Sequence, residues 1–418
     1  MKITILAIGT RGDVQPMVAL GLRLQASGYE VRFAAPEEFE SFVRQQELDY
    51  FPVRYDIKNM LKCEAGQALL ESGTNATKAM INIGKVISPM LSQLGSDCYL
   101  ACKGSDAVIH SWLGHYLGTS LFEKYKIPTF FAFLQPYHPN QAFPSFLSPI
   151  QSNLGSLLNR TTYLMQDMLR WLSFRTAVNQ WRQQELDLPP VGISHLKDNP
   201  ALRIPTLYGF SSHFIPKPAN WGEHIEMTGY WFLDDSDWQP PKDLLDFLEA
   251  GPPPVCIGFG SMMTANPAAT SDIVFKALDR TKQRGLYLTG WGGLELSAST
   301  DKIFQTQAIP HSWLFPRMAA VVHHGGCGTT GAGLQAGIPS ILTPFAFDQP
   351  FWGQRIFEAG LGPKPILMKK LSVEGLAAAI NTAVTDKGMQ KRAADIGKCI
   401  QAEDGLGNAV AAIERFLK

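Results

Sequence analysis

Two histidines, three glycines and two threonines crowd into eight residues, HHGGCGTT from His323 to Thr330. Gly325, Gly326 and Gly328 let the backbone approach a ligand closely, and a helix predicted to run to about Ala336, capped by Gly337, points its N-terminus at the same spot. Unpaired first-turn amides and the positive end of the helix dipole favour an anion, the dipole contributing about 0.3–2 kcal/mol. His324 offers a donor to a diphosphate oxygen, and Thr329 or Thr330 a hydroxyl. A glycine-rich turn around a satisfied histidine explains the same residues, since glycine motifs alone are weak evidence. A metal held by His323 and His324 is disfavoured because adjacent side chains diverge.

Two further loops carry similar chemistry. PFAFDQP places Asp348 beside Gln349 after the next strand. A carboxylate next to a carboxamide supplies the acceptors and donors that sugar hydroxyls need, although Asp348 is equally a helix cap before Pro350. GFGSM brings Gly260 and Ser261 as phosphate donors; it fails as a dinucleotide fingerprint because Met263 stands where a third glycine belongs. No G-x-x-x-x-G-K-[ST] is present, which excludes a P-loop NTPase. In IPHSWLF, Trp313 either stacks on a base or packs as an edge aromatic. Asp13, in GTRGDVQP, is either a helix cap or a general base, a role typically worth 10²–10⁴-fold. Asp235-Ser236-Asp237 spells D-x-D, but it sits in a polar stretch and reads as a solvated loop.

The elements that must position these residues alternate in type. Strands are expected at Ile3 to Ile8, Val31 to Ala35, Asp106 to His110 and Pro128 to Phe133, with a helix after the first that has Pro16 in its first turn and stops at Gly28. A long helical stretch follows from Ser148 to Leu188. Pro216, Pro218 and Gly222 mark the domain boundary. The alternation resumes with strands at Val255 to Phe259, Gly285 to Thr289, Ala319 to Val322 and Ser340 to Thr343. Strands alternating with helices imply doubly wound parallel sheets, with ligands outside the carboxyl ends of the strands.

The totals agree with a two-domain enzyme. The 418 residues are 45% hydrophobic and 18% charged, and 37 basic residues balance 37 acidic ones, which argues against a nucleic-acid binder. Six scattered cysteines without a C-x-x-C pair read as reduced thiols of a cytoplasmic protein. No stretch reaches about 18 uninterrupted apolar residues, so no span is expected.

Taken in order, GTRGDVQP, TGYWFLDD, PPPVCIGFGSM, PHSWLFPRMAAVVHHGGCGTT and PFAFDQPFWGQRIFEAGLGPKPI resemble the inverting family 1 glycosyltransferases of the GT-B fold. Within them the chain is most similar to sterol 3-β-glucosyltransferases and to bacterial enzymes that glycosylate glycopeptide and macrolide antibiotics. The resemblance implies an α/β architecture of two Rossmann-like domains facing across a cleft: an acceptor domain over 1–215, a donor domain over 224–400, and a helix over 401–418 crossing back to the first. It implies Asp13 as general base and His324, Gly326, Gly328 and Thr329, with Ser261 nearby, as the diphosphate grip. It further implies Asp348 and Gln349 as readers of the donor sugar and Trp313 near the base. The implied co-substrate is UDP-glucose, with a UDP- or dTDP-sugar and a natural-product aglycone as the alternative, and with no bound metal. Eukaryotic sterol glucosyltransferases carry N-terminal membrane-targeting modules, whereas this chain starts at the first strand and looks like a compact bacterial-type member, cytoplasmic and with possible contact at the inner membrane face.

Phe143, Phe146, Ile150, Leu154, Tyr163, Met168, Trp171 and Phe174 either line an apolar acceptor pocket, rest against a bilayer, or form ordinary helical core. The competing functions are a sugar-nucleotide epimerase or phosphorylase, a nicotinamide dehydrogenase, and a non-catalytic nucleotide-sugar binding protein.

Overall fold

The computed structural model describes residues 1–418 except 56–59, 61–63, 74, 112–114, 193–202, 236, 261, 263–265 and 291–300. The chain divides into one unit of Met1–Leu233 with Asp404–Lys418 and a second of Asp234–Glu403.

The first unit holds a seven-stranded parallel sheet. Its strands are β1 (Lys2–Leu6), β2 (Glu30–Pro36), β3 (Asp49–Val53), β4 (Ala107–His110), β5 (Thr129–Phe133), β6 (Thr206–Tyr208) and β7 (Ile225–Met227), in the order β3-β2-β1-β4-β5-β6-β7. Both faces are covered, so the central strands read as apolar runs: Ile3, Ile5 and Leu6 are buried, as are Ile109, Phe130, Phe131 and Phe133. The order reverses between β1 and β4, and Leu6 pairs with His110 there. The helix after β1, Arg11–Ala26, starts early enough that Pro16 lies inside it rather than in its first turn. It ends at Gly28, whose φ of +90° suits the left-handed position past a helix C-terminus.

The second unit holds β8 (Val255–Gly258), β9 (Gly285–Leu288), β10 (Ile303–Thr306), β11 (Ala320–His323) and β12 (Ser340–Leu342), all parallel in the order β10-β9-β8-β11-β12. Val255, Ile257, Tyr287, Val322 and Ile341 anchor its core. Its strand order reverses between β8 and β11, and such a reversal leaves a crevice outside the carboxyl ends of the two strands.

The division falls after Leu233, beyond the proline cluster at 216–223. The cluster stays with the first unit because Trp221 stacks on Tyr208, with centroids 4.9 Å apart, and its indole N–H donates to the His138 carbonyl at 3.3 Å. The last helix, Gly405–Leu417, packs on the first unit's opening helix. Tyr29 donates to Glu414 at 3.4 Å, Asn408 donates to the Thr228 carbonyl at 3.0 Å, and Arg23 pairs with Asp404 at 2.9 Å. Among the described residues no helix is long and apolar enough to cross a membrane.

Candidate functional site

The crevice of the second unit is lined by the loops after β8, β11 and β12. β11 ends on His323, which is fully buried. The His323 Nδ1 accepts the Gly325 N–H at 3.1 Å, so this ring shapes the loop rather than reaching a ligand. Burial, with smaller contributions from His324 and His311, holds His323 far below the ordinary imidazole range. The two histidine rings stand at 87° with centroids 6.3 Å apart, and among the described residues no group of three metal-ligating side chains occurs.

His324 is half-buried and is pushed down to about 4, first by burial and then by His311. It is therefore neutral at pH 7 and contributes a hydrogen bond rather than a charge. Its ring fits between two glycines. A Cβ added to Gly260 would lie 3.1 Å from the His324 Cε1, and one on Gly326 would lie 2.6 Å from its Nε2. The β8 and β11 loops thus meet at this imidazole, which only the absence of two side chains allows.

Gly326 is the N-cap of the helix Cys327–Ala336, and no side chain caps it. The amides of the first turn have no intrahelical acceptor. Gly328 is exposed, with open space where a side chain would stand, and Thr329 is half-buried. Thr330 is fully buried, its N–H bonded to the Gly326 carbonyl at 2.9 Å and its hydroxyl without a partner. Of the two threonines, Thr329 is thus the one placed to meet a ligand. The helix stops at Gly337, in the left-handed conformation at φ +70°.

The β12 loop touches this turn, since a Cβ on Gly325 would lie 3.2 Å from the Gln349 carbonyl oxygen. Asp348 occupies the N-cap of the helix Gln349–Glu358, yet its side chain makes no cap bond. Its Oδ2 accepts the Trp352 indole N–H at 2.8 Å instead. Gln349 is buried, and its Oε1 accepts the N–H groups of Phe345 at 2.8 Å and Ala346 at 3.2 Å. Its acceptor is spent within the loop, so the group it can turn to a ligand is the amide donor. Phe347 adopts φ +55° between these contacts, a left-handed conformation costing on the order of 1–3 kcal/mol that the surrounding loop must hold.

Trp313 sits in the one-turn helix His311–Leu314, half-buried. The Arg317 guanidinium lies 4.1 Å from its ring centroid and Trp238 meets it edge-on at 5.1 Å, so packing already claims part of the indole. His311 stacks on Phe315 at 4.4 Å and is close enough to disfavour the protonated forms of both His323 and His324. Sequence reasoning passed over His311, although PHSWLF contains it. Ser261 lies outside the described residues, as do Met263 and the middle of the D-x-D triplet. Asp235 of that triplet accepts from the Ser312 hydroxyl at 3.4 Å.

In the first unit, Asp13 is the third residue of its helix rather than the N-cap, which is Thr10. Its Oδ2 accepts the Thr10 N–H at 2.8 Å and the Thr10 hydroxyl at 3.1 Å. The carboxylate is half-buried and its charge, added to burial, raises the Tyr55 phenol. Ser111, following β4, fixes the loop after β1: its Oγ accepts from the Ile8 N–H at 3.0 Å and donates to the Ile8 carbonyl at 3.2 Å. Asp13 and Ser111 therefore flank the point where this sheet reverses order.

The apolar segment resolves into three kinds of residue. Phe143, Phe146, Tyr163, Trp171 and Phe174 are buried core, Leu154 is half-buried, and Ile150 and Met168 are exposed.

Two family models match the chain: the glycosyltransferase family 28 N-terminal domain over residues 3–144, and the erythromycin biosynthesis protein CIII-like C-terminal domain over 293–405. The sterol 3-beta-glucosyltransferase UGT80A2 of Arabidopsis thaliana is 38% identical over 429 residues, covering 100% of this chain and 66% of the relative. UGT80B1 of the same plant, also a sterol 3-beta-glucosyltransferase, is 37% identical over 423 residues, covering 100% and 68%. This chain thus spans about two thirds of the length of each plant relative. Among solved structures, the glycotransferase of kitacinnamycin superposes with a TM-score of 0.72 at 16% identity, covering 100% of this chain and 99% of the other.

Proposed function

We propose, because this chain belongs to the GT-B glycosyltransferase family that contains the sterol 3-β-glucosyltransferases, that it transfers glucose from UDP-glucose to a sterol hydroxyl. The donor chemistry rests on one arrangement: His324 wedged between Gly260 and Gly326 at an uncapped helix N-terminus, beside the Gln349 loop. The acceptor class rests on the names of the relatives matched along the whole of this chain.

In this reading Asp13 takes the proton of the acceptor hydroxyl as its oxygen attacks the anomeric carbon. The bond from that carbon to the diphosphate oxygen breaks, and the electron pair leaves with UDP, inverting the anomeric centre. The amides of Gly328 and Thr329 and the neutral His324 meet the charge that develops on the diphosphate, fixed donors that need no reorganisation. These groups supply the stabilisation that a metal ion provides in other transferases, so transfer is expected to survive chelation. Asp348 and Gln349 meet the glucose hydroxyls, and Trp313 lies by the uracil.

A matrix of UDP- and dTDP-sugars against sterols, other lipids and polyketide aglycones, read by mass spectrometry, tests donor and acceptor together. Glucosylated sterol from UDP-glucose is the expected product. Products on polyketide or peptide aglycones alone would replace the sterol assignment with natural-product glycosylation. UDP binding without transfer to any acceptor would leave a nucleotide-sugar binding protein.

A further inference from the structure

The long helix Ser156–Glu185 is apolar on both sides, and only one side is covered. Tyr163, Arg170, Trp171, Phe174, Val178 and Trp181 are buried against the first unit. Leu157, Leu158, Leu164, Met165, Met168 and Leu172 are 43–77% exposed, and Ile150 just before the helix is 53% exposed. At 3.6 residues per turn these six side chains fall in one stripe roughly 120° wide and about 22 Å long, opposite the buried side. Apolar side chains scattered singly over a surface need no explanation, whereas a contiguous stripe marks an interaction surface.

The charges around the stripe indicate its partner. Arg175 continues the stripe and Arg160 flanks it, both exposed, while the helix's other arginines are buried in ion pairs, Arg170 with Asp167 at 2.6 Å and Arg182 with Glu123 at 2.9 Å. Between residues 127 and 184 the only acidic residue is Asp167, which is itself buried. The exposed face thus combines leucine and methionine with unpaired arginine and no carboxylate of its own. An apolar stripe edged by cations is the pattern of a helix lying in the interfacial plane of an anionic bilayer.

We propose that the face Leu157–Leu172 of this helix docks the protein onto the surface of an anionic lipid bilayer, with Arg160 and Arg175 at the headgroups. The helix lies on the membrane and does not span it. The proposal deepens the functional reading, since a sterol is dissolved in a bilayer, but binding is measured without any transfer, so each can fail alone.

The test is flotation of the full chain with vesicles of phosphatidylcholine containing phosphatidylserine, compared with phosphatidylcholine alone. The wild type is expected to float with the anionic vesicles and to be released by high salt. Leu164→Gln with Met168→Gln should lower the partition coefficient at least tenfold, and Arg160→Gln with Arg175→Gln should remove the preference for anionic lipid. Unchanged melting temperatures would show that these exposed substitutions leave the fold intact. Wild-type protein that stays with neither vesicle overturns the proposal. So does sedimentation showing a dimer that the Leu164/Met168 variant dissociates, which would assign the stripe to a second copy of the chain.

Discussion

The Nε2 of His324 lies 2.6 Å from the place a Cβ on Gly326 would occupy, so the imidazole sits directly against the start of the helix Cys327–Ala336. Gly326→Ala must push the ring away from the first-turn amides. Because Gly326 has φ −63°, the substitution brings no backbone strain, and its effect is confined to this contact. Calorimetry is expected to show UDP binding weakened at least tenfold with the melting temperature nearly unchanged. Equal UDP affinity in the variant would remove His324 and this helix from the donor site.

Asp13 serves two purposes that one substitution separates. Its Oδ2 accepts two bonds from Thr10, which an asparagine side-chain oxygen also accepts, so Asp13→Asn keeps the helix start while losing the base. The variant should lose 10²–10⁴-fold in kcat with UDP affinity retained, the span of a general base. Asp13→Ala should in addition lower the melting temperature, by removing a bond at the helix N-terminus worth ~1 kcal/mol. Transfer by Asp13→Asn at the wild-type rate would place the base elsewhere.

The glycine–histidine loops were legible because their residue types state what the backbone must do: close approach at Gly260 and Gly326, a left-handed stop at Gly337. Strands β1, β2, β4, β5, β8, β9, β11 and β12 announce themselves as short apolar runs buried on both faces. β3, β6, β7 and β10 do not. β6 and β7 are three residues each, and β3 carries Pro52, which an edge strand tolerates because no neighbour needs its missing N–H. Their pairing is fixed from far away, as where Phe131 meets Thr206. The prolines at 216–223 resembled a linker because a sequence does not show Trp221 reaching Tyr208. The same limit hid the roles of Asp348 and Gln349, whose partners are an indole one helical turn ahead and two backbone amides.

Those backbone amides make Gln349 testable. Gln349→Glu retains oxygens that accept from Phe345 and Ala346, and replaces the amide donor with a charged acceptor. Gln349→Ala removes both. If the amide reads a glucose hydroxyl, Glu should cut kcat/KM for UDP-glucose about tenfold with the melting temperature kept, whereas Ala should also lower the melting temperature by loosening the loop. Wild-type kinetics in the Glu variant would restrict Gln349 to holding the loop that carries Phe347.

Acid stability follows from the buried histidines. Burial pushes His110 and His138 down to about 3 and His324 to about 4, against roughly 6.5 in the unfolded chain. In each case the unfolded state binds the proton first, so stability is fully present above about pH 6.5 and is lost as pH falls toward the folded values. His110 gives the cleanest measurement, because it is fully buried and neither ring nitrogen has a hydrogen-bond partner among the described residues. His110→Leu removes two unpartnered polar atoms and one acid-labile site. At pH 7.5 the variant's stability should match or exceed that of the wild type. Between about pH 6 and pH 3 the wild type should lose up to ~1.4 kcal/mol per pH unit more than the variant, one proton's worth of linkage. Denaturant unfolding across that range measures the difference, and parallel slopes would mean that the His110 ring charges as readily folded as unfolded.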